Sequence, residues 1–130
     1  MSENLDLVRS IYADWERGDF GSADWADPEL NFVIVGGPMP GRAHGIAGMA
    51  QRMREFLTAW EGYRTEAEQY RELDDGRILV LSRDTARGRT SGAETARARA
   101  QVLDLNEGKV TRLALYWDRD RALADLGLEE

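Results

Sequence analysis

His44 is the only histidine in the chain, and the chain has no cysteine. An imidazole in ordinary surroundings titrates at about pH 6.5, so His44 is the side chain best suited to transfer protons at neutral pH. It lies in the glycine-rich segment 36–45, between Gly41 and Gly45. It is either an acid/base or ligand-contacting group at the edge of a cavity or an exposed loop histidine, and the sequence shows no carboxylate partner for it.

Composition excludes several other kinds of chemistry. A chain of 130 residues without cysteine has no disulfide, thiolate metal site or cysteine nucleophile. No histidine and carboxylates have the spacing of metal ligands, so we predict neither a metal nor any other cofactor. A formal net charge of −7 disfavours nucleic acid and anionic membranes as partners. No apolar run reaches the roughly 20 residues of a membrane span, and the first residues do not resemble a signal peptide, so we expect a cytoplasmic protein.

Two segments, residues 3–18 and 46–60, have the hydrophobic spacing of amphipathic helices. In the second, the apolar residues follow the i, i+3, i+4, i+7 pattern closely. Between the two helices, residues 30–35 form a β-branched and aromatic run that predicts a strand. The glycines and prolines of segment 36–45 predict a loop after this strand.

In residues 63–118 the hydrophobic period changes to two, in four successive runs. The runs are divided by turn sequences at 74–76, 88–92 and 106–108, and Asp-Gly or Glu-Gly between alternating runs is typical of hairpins. We therefore predict four antiparallel strands in succession. Residues 119–127 then predict a short closing helix.

This order of elements predicts the fold class. Helix, strand, helix and then a meander of strands is typical of an α+β domain, with the helices packed on one face of a curved antiparallel sheet. We expect a single domain over residues 1–130, because no linker, repeat or low-complexity tract divides the chain. A curved sheet covered on one side leaves a concavity, and ligand sites often lie in such concavities.

Several short motifs follow one another along nearly the whole chain. They are Val8–Trp15 with Gly18–Phe20, Asp27–Leu30, Gly41–Gly45, Asp75–Val80, Glu107–Val110, Tyr116–Arg119, Ala122–Leu123 and Gly127–Leu128. In this order and spacing they resemble the SnoaL-like branch of the nuclear transport factor 2-like superfamily, the cone-shaped fold shared with ketosteroid isomerase and limonene-epoxide hydrolase. The superfamily places many activities on one scaffold, so its function has to be argued from the pocket.

The resemblance also implies which side chains line the cone. On the strands it places alternate residues inward: Phe32 and Ile34; Leu81, Arg83 and Thr85; Arg99, Gln101 and Leu103; and Leu113, Leu115 and Trp117. The predicted ligand-binding residues, which include those that would close the cavity from the helices, are Tyr12, Trp15, Phe32, Ile34, Met49, Met53, Phe56, Trp60, Gln101, Leu115 and Trp117. A stripe of aromatic and methionine side chains is more often simply part of an apolar core.

In this placement, the best-defined chemistries of the superfamily lack their carboxylates. An isomerase of the ketosteroid type needs a carboxylate base near the end of the first strand, and residues 34–37 contain none. A limonene-epoxide hydrolase needs an Asp-Arg-Asp set. Only the arginine, Arg83, remains, because the two aspartates fall on Thr85 and Leu115.

Two arginines on adjacent predicted strands, Arg83 and Arg99, could together hold an anionic oxygen by charge-assisted hydrogen bonds. With His44 they are the predicted catalytic residues. They could also pair with nearby acids such as Glu66 and Asp84, or face outward if the strand register is shifted by one residue.

The sequence therefore predicts a SnoaL-like small-molecule-binding protein with an apolar pocket for a small apolar or aromatic carbonyl compound. We expect a homodimer formed through the exposed face of the sheet. If the protein is an enzyme, the expected class is a cofactor-free isomerase, cyclase or hydrolase. The alternatives are a non-catalytic carrier or sensor of a hydrophobic metabolite and a dimeric interaction module.

Overall fold

The computed structural model describes residues 2–19, 24–37, 40–88 and 91–128. The elements in chain order are α1 (Glu3–Glu16), β1 (Ala26–Val35), β2 (Gly41–His44), α2 (Gly45–Thr58), β3 (Trp60–Glu72), β4 (Ile78–Gly88), β5 (Glu94–Asn106), β6 (Lys109–Tyr116) and α3 (Arg119–Leu126). This order confirms the predicted succession of helix, strand, helix, meander and closing helix. Strand β2 is additional, and it lies in the segment that was predicted to be a loop.

The strands form a six-stranded sheet in the order β2-β1-β6-β5-β4-β3. Strand β1 runs parallel to β6, and the other neighbouring strands are antiparallel. The sheet is therefore mixed rather than wholly antiparallel, because β1 pairs with a strand far along the chain. This pairing places Phe32 beside Leu113. It extends past the last strand, since the Trp117 amide donates to the Val35 carbonyl at 3.0 Å.

Helices α1 and α2 pack on one face of the sheet, which we call the inner face. Helix α1 begins at its N-cap Ser2, whose hydroxyl accepts the Leu5 amide at 3.0 Å. The hydrophobic core lies between the two helices and the sheet, where the buried side chains of the helices pack against those of the strands. Its buried members include Val8, Ile11, Tyr12, Trp15, Leu30, Phe32, Ile34, Met49, Ile78, Val80, Leu103 and Leu113.

Helix α3 packs on the opposite, outer face of the sheet. Asp118 caps the helix by accepting the Asp120 amide at 3.0 Å, and Ala122 and Leu123 are buried against the strands. The outer-face side chains of this second cluster are Leu79, Leu81, Ala100, Val102, Ala114 and Tyr116. The middle of the sheet is therefore covered on both faces, and the sheet face that was expected to be exposed is partly occupied by α3.

Candidate functional site

The register between β4 and β5 decides which polar side chains face the helices. Ser82 lies opposite Arg99, and Asp84 lies opposite Arg97. Side chains of directly paired residues share a face of the sheet, so these four residues point to the inner face. Ser82 is 0% and Asp84 5% exposed, which places two polar groups in the interior.

The predicted inward residues of β4 were wrong by one position. Arg83 pairs with Glu66 of β3 on the outer face, where Arg83 and Thr85 are exposed and Leu81 packs beneath α3. A shift of one residue exchanges the two faces of a strand. Arg83 therefore does not join Arg99, and the predicted clamp of two arginines is not formed.

A row of polar side chains crosses the interior from α1 to β4. The Tyr12 hydroxyl donates to Gln101 Oε1 at 2.5 Å. Gln101 Nε2 in turn donates to Ser82 Oγ at 3.1 Å, and Ser82 Oγ donates to Asp84 Oδ1 at 3.0 Å. The apolar core is thus joined to a buried carboxylate by continuous hydrogen bonds.

Hydroxyl groups supply the hydrogen bonds to Asp84. In addition to Ser82, Thr65 Oγ1 donates to Oδ1 at 2.7 Å, and the Tyr63 hydroxyl donates to Oδ2. Arg99 Nη1 lies 3.6 Å from Oδ2, which is within the range of an ion pair but long for a hydrogen bond. The Asp84 carboxylate is therefore stabilised by three hydroxyl hydrogen bonds, whereas Arg99 stabilises it mainly through its positive charge.

Arg99 is a buried cation surrounded by aromatic rings. It is 8% exposed, and its guanidinium carbon lies 3.9 Å from the centre of the Trp117 ring and 5.2 Å from that of Phe56. Nη1 donates to the Tyr63 hydroxyl at 3.4 Å. Nε of Arg99 and Nε1 of Trp60 are buried and have no hydrogen-bond partner among the described residues.

Burial also changes the acidity of the two phenols in this network. It raises the pKa of Tyr63 well above the ordinary 10.0, and the charge of Asp84 raises it further. The pKa of Tyr12 is raised in the same way, first by burial and then by Asp84. Both phenols therefore remain protonated hydrogen-bond donors throughout the neutral range.

We call Phe56, Trp60, Tyr63, Asp84, Arg99 and Trp117 the Arg99 cluster. Its outer end lies next to the turn that follows β1, where Gly37 approaches the Trp117 indole so closely that a β-carbon built on Gly37 would lie 2.6 Å from Cδ2. Arg97, which is exposed, lies 4.9 Å from the same indole ring. Trp117 is half-buried, so it separates the buried guanidinium from the surface.

Helix α3 supports the Arg99 cluster from the outer face. Arg119 Nε donates to the Arg99 carbonyl at 3.3 Å. Its Nη2 donates to the Ser82 carbonyl at 2.7 Å and to Glu68 Oε1 at 2.5 Å. The Arg119 side chain is thus hydrogen-bonded to the backbone of both β4 and β5. The two carbonyls belong to Ser82 and Arg99, whose own side chains point to the inner face.

The structure divides the predicted ligand-binding residues into two groups. The side chains of Tyr12, Trp15, Phe32, Ile34 and Met49 are buried in the core, and Met53 and Leu115 pack against it. Phe56, Trp60 and Trp117 belong to the Arg99 cluster, and Gln101 joins the two groups through Tyr12 and Ser82. The predicted apolar pocket is largely a filled core with a polar and aromatic end.

His44 lies on the outer face, apart from the Arg99 cluster. It pairs with Asn31, whose neighbour Phe32 points inward. Its Nε2 lies 2.8 Å from Glu29 Oε2 and its Nδ1 lies 3.4 Å from Asn31 Oδ1, with 64% of the side chain exposed. Glu29 is the carboxylate partner that sequence reasoning missed, because only the pairing of β1 with β2 brings the two residues together.

Sequence reasoning also missed Asp84 as an interior residue, together with its donors Tyr63 and Thr65. The signal that could have found them is the alternation of Ser82 and Asp84 directly after the apolar run of residues 78–81. Two polar residues two positions apart share one face of a strand, and buried polar groups occur together because each needs a partner.

A separate surface cavity of about 790 Å³ lies at the far end of β3, β4 and β5. Its lining residues include Glu61, Arg64, Thr85, Arg87 and Glu94. Arg87 and Glu94 already pair at 2.7 Å. This cavity is polar and contains no member of the Arg99 cluster.

Two negative findings apply to the described ranges. Within them, no three or more histidine or carboxylate side chains are placed to hold a metal ion. Within the same ranges, no helix combines the length and the apolar character needed to cross a membrane.

A mixed sheet with two helices on its inner face, and a polar cluster at one end of the interior, defines an α+β protein of the cone-shaped class. No protein-family model matches the sequence, and no curated protein does either. The solved structures, by contrast, include clear matches to nearly the whole chain.

One match is an NTF2-like protein of unknown function from Burkholderia pseudomallei, at 20% identity over 95% of this chain and 97% of that one, with a TM-score of 0.80. Another is TerC co-crystallised with polyporic acid, at 22% identity over 96% and 98%, with a TM-score of 0.77. A third is a protein from Jannaschia named as a SnoaL-like polyketide cyclase, at 15% identity over 95% and 89%, with a TM-score of 0.76. The chain therefore has the nuclear transport factor 2-like fold, which confirms the fold that the sequence resemblance implied.

Proposed function

We propose that this protein binds a small apolar or aromatic molecule at the Arg99 cluster. The observation that carries the proposal is the pair of buried donors, Arg99 Nε and Trp60 Nε1, that have no partner among the described residues. A buried donor without an acceptor costs about 1–3 kcal/mol, and a ligand oxygen that accepted from it would recover this cost. The surrounding aromatic rings suit an apolar or aromatic ligand body.

A protein with the same fold suggests a first compound to test. TerC, which shares the fold, was co-crystallised with polyporic acid, and this compound is therefore a suitable first probe for the present chain. A hydrophobic carbonyl compound, as the sequence predicted, would offer its oxygen to the two donors. Such a ligand could be carried or sensed without being chemically changed.

Binding at Arg99 requires one of the covering side chains to move. The guanidinium is buried, and the Trp117 ring lies 3.9 Å from it. Trp117 is half-buried and follows the last strand, so its rotation would uncover the guanidinium while leaving the core beneath α1 and α2 in place. Tryptophan fluorescence should therefore report binding directly.

Native mass spectrometry beside a denatured control tests whether the purified protein retains a small molecule. Fluorescence titration with polyporic acid and with aromatic ketones then tests binding, and we expect a saturable change that is reduced in Trp117→Phe. Trp25→Phe is the matched control, because the Trp25 ring packs on Trp15 at 5.9 Å, outside the Arg99 cluster. Failure of every compound to saturate the signal would contradict the proposal, as would a signal that is lost only in Trp25→Phe.

A second candidate function is that of a cofactor-free isomerase, cyclase or hydrolase acting on a hydrophobic carbonyl compound. One contact favours it, the hydrogen bond from the Tyr63 hydroxyl to Asp84 beside Arg99. A guanidinium could stabilise an enolate oxygen, and a phenol could supply a proton. The carboxylate oxygens of Asp84 already accept three hydroxyl hydrogen bonds, which leaves them little capacity for a substrate proton, so the geometry favours binding over proton abstraction.

Hydrogen–deuterium exchange next to the carbonyl of a bound ketone, followed by NMR in D₂O, separates these two functions. An isomerase or cyclase that forms an enolate catalyses the exchange and loses it in Asp84→Asn, provided that circular dichroism shows this variant to be folded, whereas a carrier binds the ketone without exchange. A third protein, the His44→Ala variant, tests whether catalysis takes place at His44 instead. Loss of turnover in that variant alone would assign catalysis to His44 and Glu29 on the outer face and would remove the Arg99 cluster from the chemistry.

We also propose the homodimer that the sequence analysis expected, now restricted to a smaller surface. Helix α3 covers the centre of the outer face, so the surface that we propose for the second copy is the part near β1 and β2, where Val33 is half-buried and Arg42 exposed. Sedimentation velocity on the full chain, with Val33→Asp as the disrupting variant, tests this. A monomer at all concentrations would rule it out.

A further inference from the structure

We infer that the ligand of the Arg99 cluster is an aromatic anion, a carboxylate or a phenolate, bound by the edge of the Arg99 guanidinium that carries Nε. This inference rests on the proposed function and makes it more specific. A neutral carbonyl compound is the competing ligand class.

The first reason is the unequal supply of hydrogen bonds to the two buried charges. Asp84 accepts from Ser82, Thr65 and Tyr63, so the carboxylate is stabilised without Arg99. A guanidinium has five N–H donors. The hydrogen bond from Arg99 to Tyr63 is long, at 3.4 Å, and Nε has no partner. The buried cation is short of acceptors, and the buried anion is not.

The second reason is which edge of the guanidinium is occupied. Nη1 faces Tyr63 and Asp84. In any guanidinium, Nε–H and one Nη2–H bond point in the same direction, and this edge matches the two oxygens of a carboxylate. The Nε edge of Arg99 therefore points away from Asp84, which limits repulsion between Asp84 and a bound anion.

The third reason is the aromatic surface beside that edge. The Trp117 ring stacks against the guanidinium of Arg99, and the Trp60 and Trp117 ring centres are 6.3 Å apart. A planar ring attached to the anionic group can pack against these side chains while its oxygens reach Nε. Trp60 Nε1 supplies a further buried donor. An aliphatic anion would use the charge and lose the ring contacts.

The fourth reason is a second cation on the path from solvent. Arg97 lies two residues before Arg99 on the same face of β5, is exposed and lies 4.9 Å from the Trp117 ring. The chain as a whole carries a formal net charge of −7, which repels anions. A local positive charge at the entrance offsets this repulsion and speeds the approach of an anion, with a strong dependence on salt.

Matched aromatic pairs test the inference by isothermal titration calorimetry at about pH 8, where carboxylic acids are ionised. The probes are 2-naphthoate with 2-naphthamide, and benzoate with benzamide. We expect each carboxylate to bind about 10- to 100-fold more tightly than its amide, the range of one or two charge-assisted hydrogen bonds. The preference should disappear in Arg99→Gln and be reduced in Arg99→Lys, which retains the charge but not the planar edge.

Arg97→Gln provides the matched variant at the surface. It should weaken naphthoate binding several-fold at about 50 mM NaCl and have little effect at about 300 mM, where exposed charges are screened. Circular dichroism shows whether each variant is folded. The comparison of acid with amide uses the unaltered protein, so it remains decisive even if Arg99→Gln does not fold.

The outcomes separate the inference from the proposed function. Tighter binding of the carboxylates, dependent on Arg99, supports both. Equal or tighter binding of the amides overturns the anion inference and leaves a site for neutral ligands. Absence of binding by all four probes, with no signal from the ketones or polyporic acid, overturns the proposed site itself.

Discussion

Gly37 and Trp117 are in such close contact that no side chain fits between them. A β-carbon built on Gly37 would lie 2.6 Å from Trp117 Cδ2 and 2.7 Å from Cγ. Gly37 also has a φ of +76°, a conformation that other residues adopt only with strain. The turn after β1 therefore packs directly against the ring that covers Arg99, and only glycine at position 37 leaves room for that contact.

We expect Gly37→Ala to destabilise the protein and displace the Trp117 indole. Gly18→Ala is the matched control, since Gly18 has a φ of +83° and nothing within 4 Å of the added carbon. Backbone strain alone should cost about 1 kcal/mol in both variants, and the clash should add about 1–3 kcal/mol in Gly37→Ala. Urea unfolding measures the difference, and near-UV circular dichroism reports the indole. An equal loss of unfolding free energy in the two variants would show that the Trp117 ring moves away from the added carbon without an energetic penalty.

Asp84→Asn should be strongly destabilising. The substitution removes the charge that faces Arg99 at 3.6 Å, and it places an amide where three hydroxyl groups now donate. Breaking a buried ion pair by removing one partner typically costs about 3–5 kcal/mol. Asp74→Asn, in an exposed turn, should change the unfolding free energy by less than about 0.5 kcal/mol. If urea unfolding gave the two variants similar stabilities, the interior position of Asp84 would be wrong.

Arg119→Ala should cost far more stability than Arg121→Ala on the same helix. Arg119 donates to the carbonyls of Arg99 and Ser82, which would lose a charged donor at about 1.5–3 kcal/mol. Arg121 pairs with Asp125 one turn away, at 3.2 Å on an exposed surface, a contact worth about 0.3–0.5 kcal/mol. Thermal unfolding of the two variants makes the comparison. A larger effect of Arg121→Ala would contradict the supporting role of Arg119.

Stability should fall as the pH rises above about 10, the ordinary pKa of tyrosine. The pKa of Tyr63 is raised in the folded protein, so in this range the unfolded state loses a proton that the folded state keeps. The unfolded state is then favoured by up to about 1.4 kcal/mol per pH unit for each such phenol. Urea unfolding from pH 8 to 11 should show this slope, and Tyr63→Phe should reduce it. Identical slopes would mean that Tyr63 ionises equally in both states.

The order of the elements could be predicted because hydrophobic period and turn residues are local signals. The sequence placed both inner-face helices, the meander and α3 within a few residues of their observed ends. Strand β2 was missed because Gly41–His44 is short and lacks a repeated pattern. The parallel pairing of β1 with β6 joins distant segments, and no local pattern indicates it.

The prediction of which β4 residues face inward was wrong for a physical reason. Residues 78–81 are apolar at every position because the core covers one face and α3 the other, so the alternation that normally identifies the inner face is absent. The predicted turn over residues 88–92 is centred on residue 90, so it would place Leu81 opposite Arg99 across the hairpin. In the structure the Gly88 amide instead donates to the Ala93 carbonyl at 3.0 Å, and Ser82 lies opposite Arg99. This shift of one residue separated Arg83 from the site and brought Asp84 into it.

The position of α3 also has a consequence for the order in which the molecule is made. Translation produces β4 and β5 before residues 119–126, so the outer-face side chains Leu79, Leu81 and Val102 exist without their cover until that helix leaves the ribosome. During this interval the nascent chain presents an apolar surface of the kind that associates with other chains or with chaperones. Helix α3, which supports the Arg99 cluster, is thus also needed to cover this apolar surface, and it is synthesised after the strands that it covers.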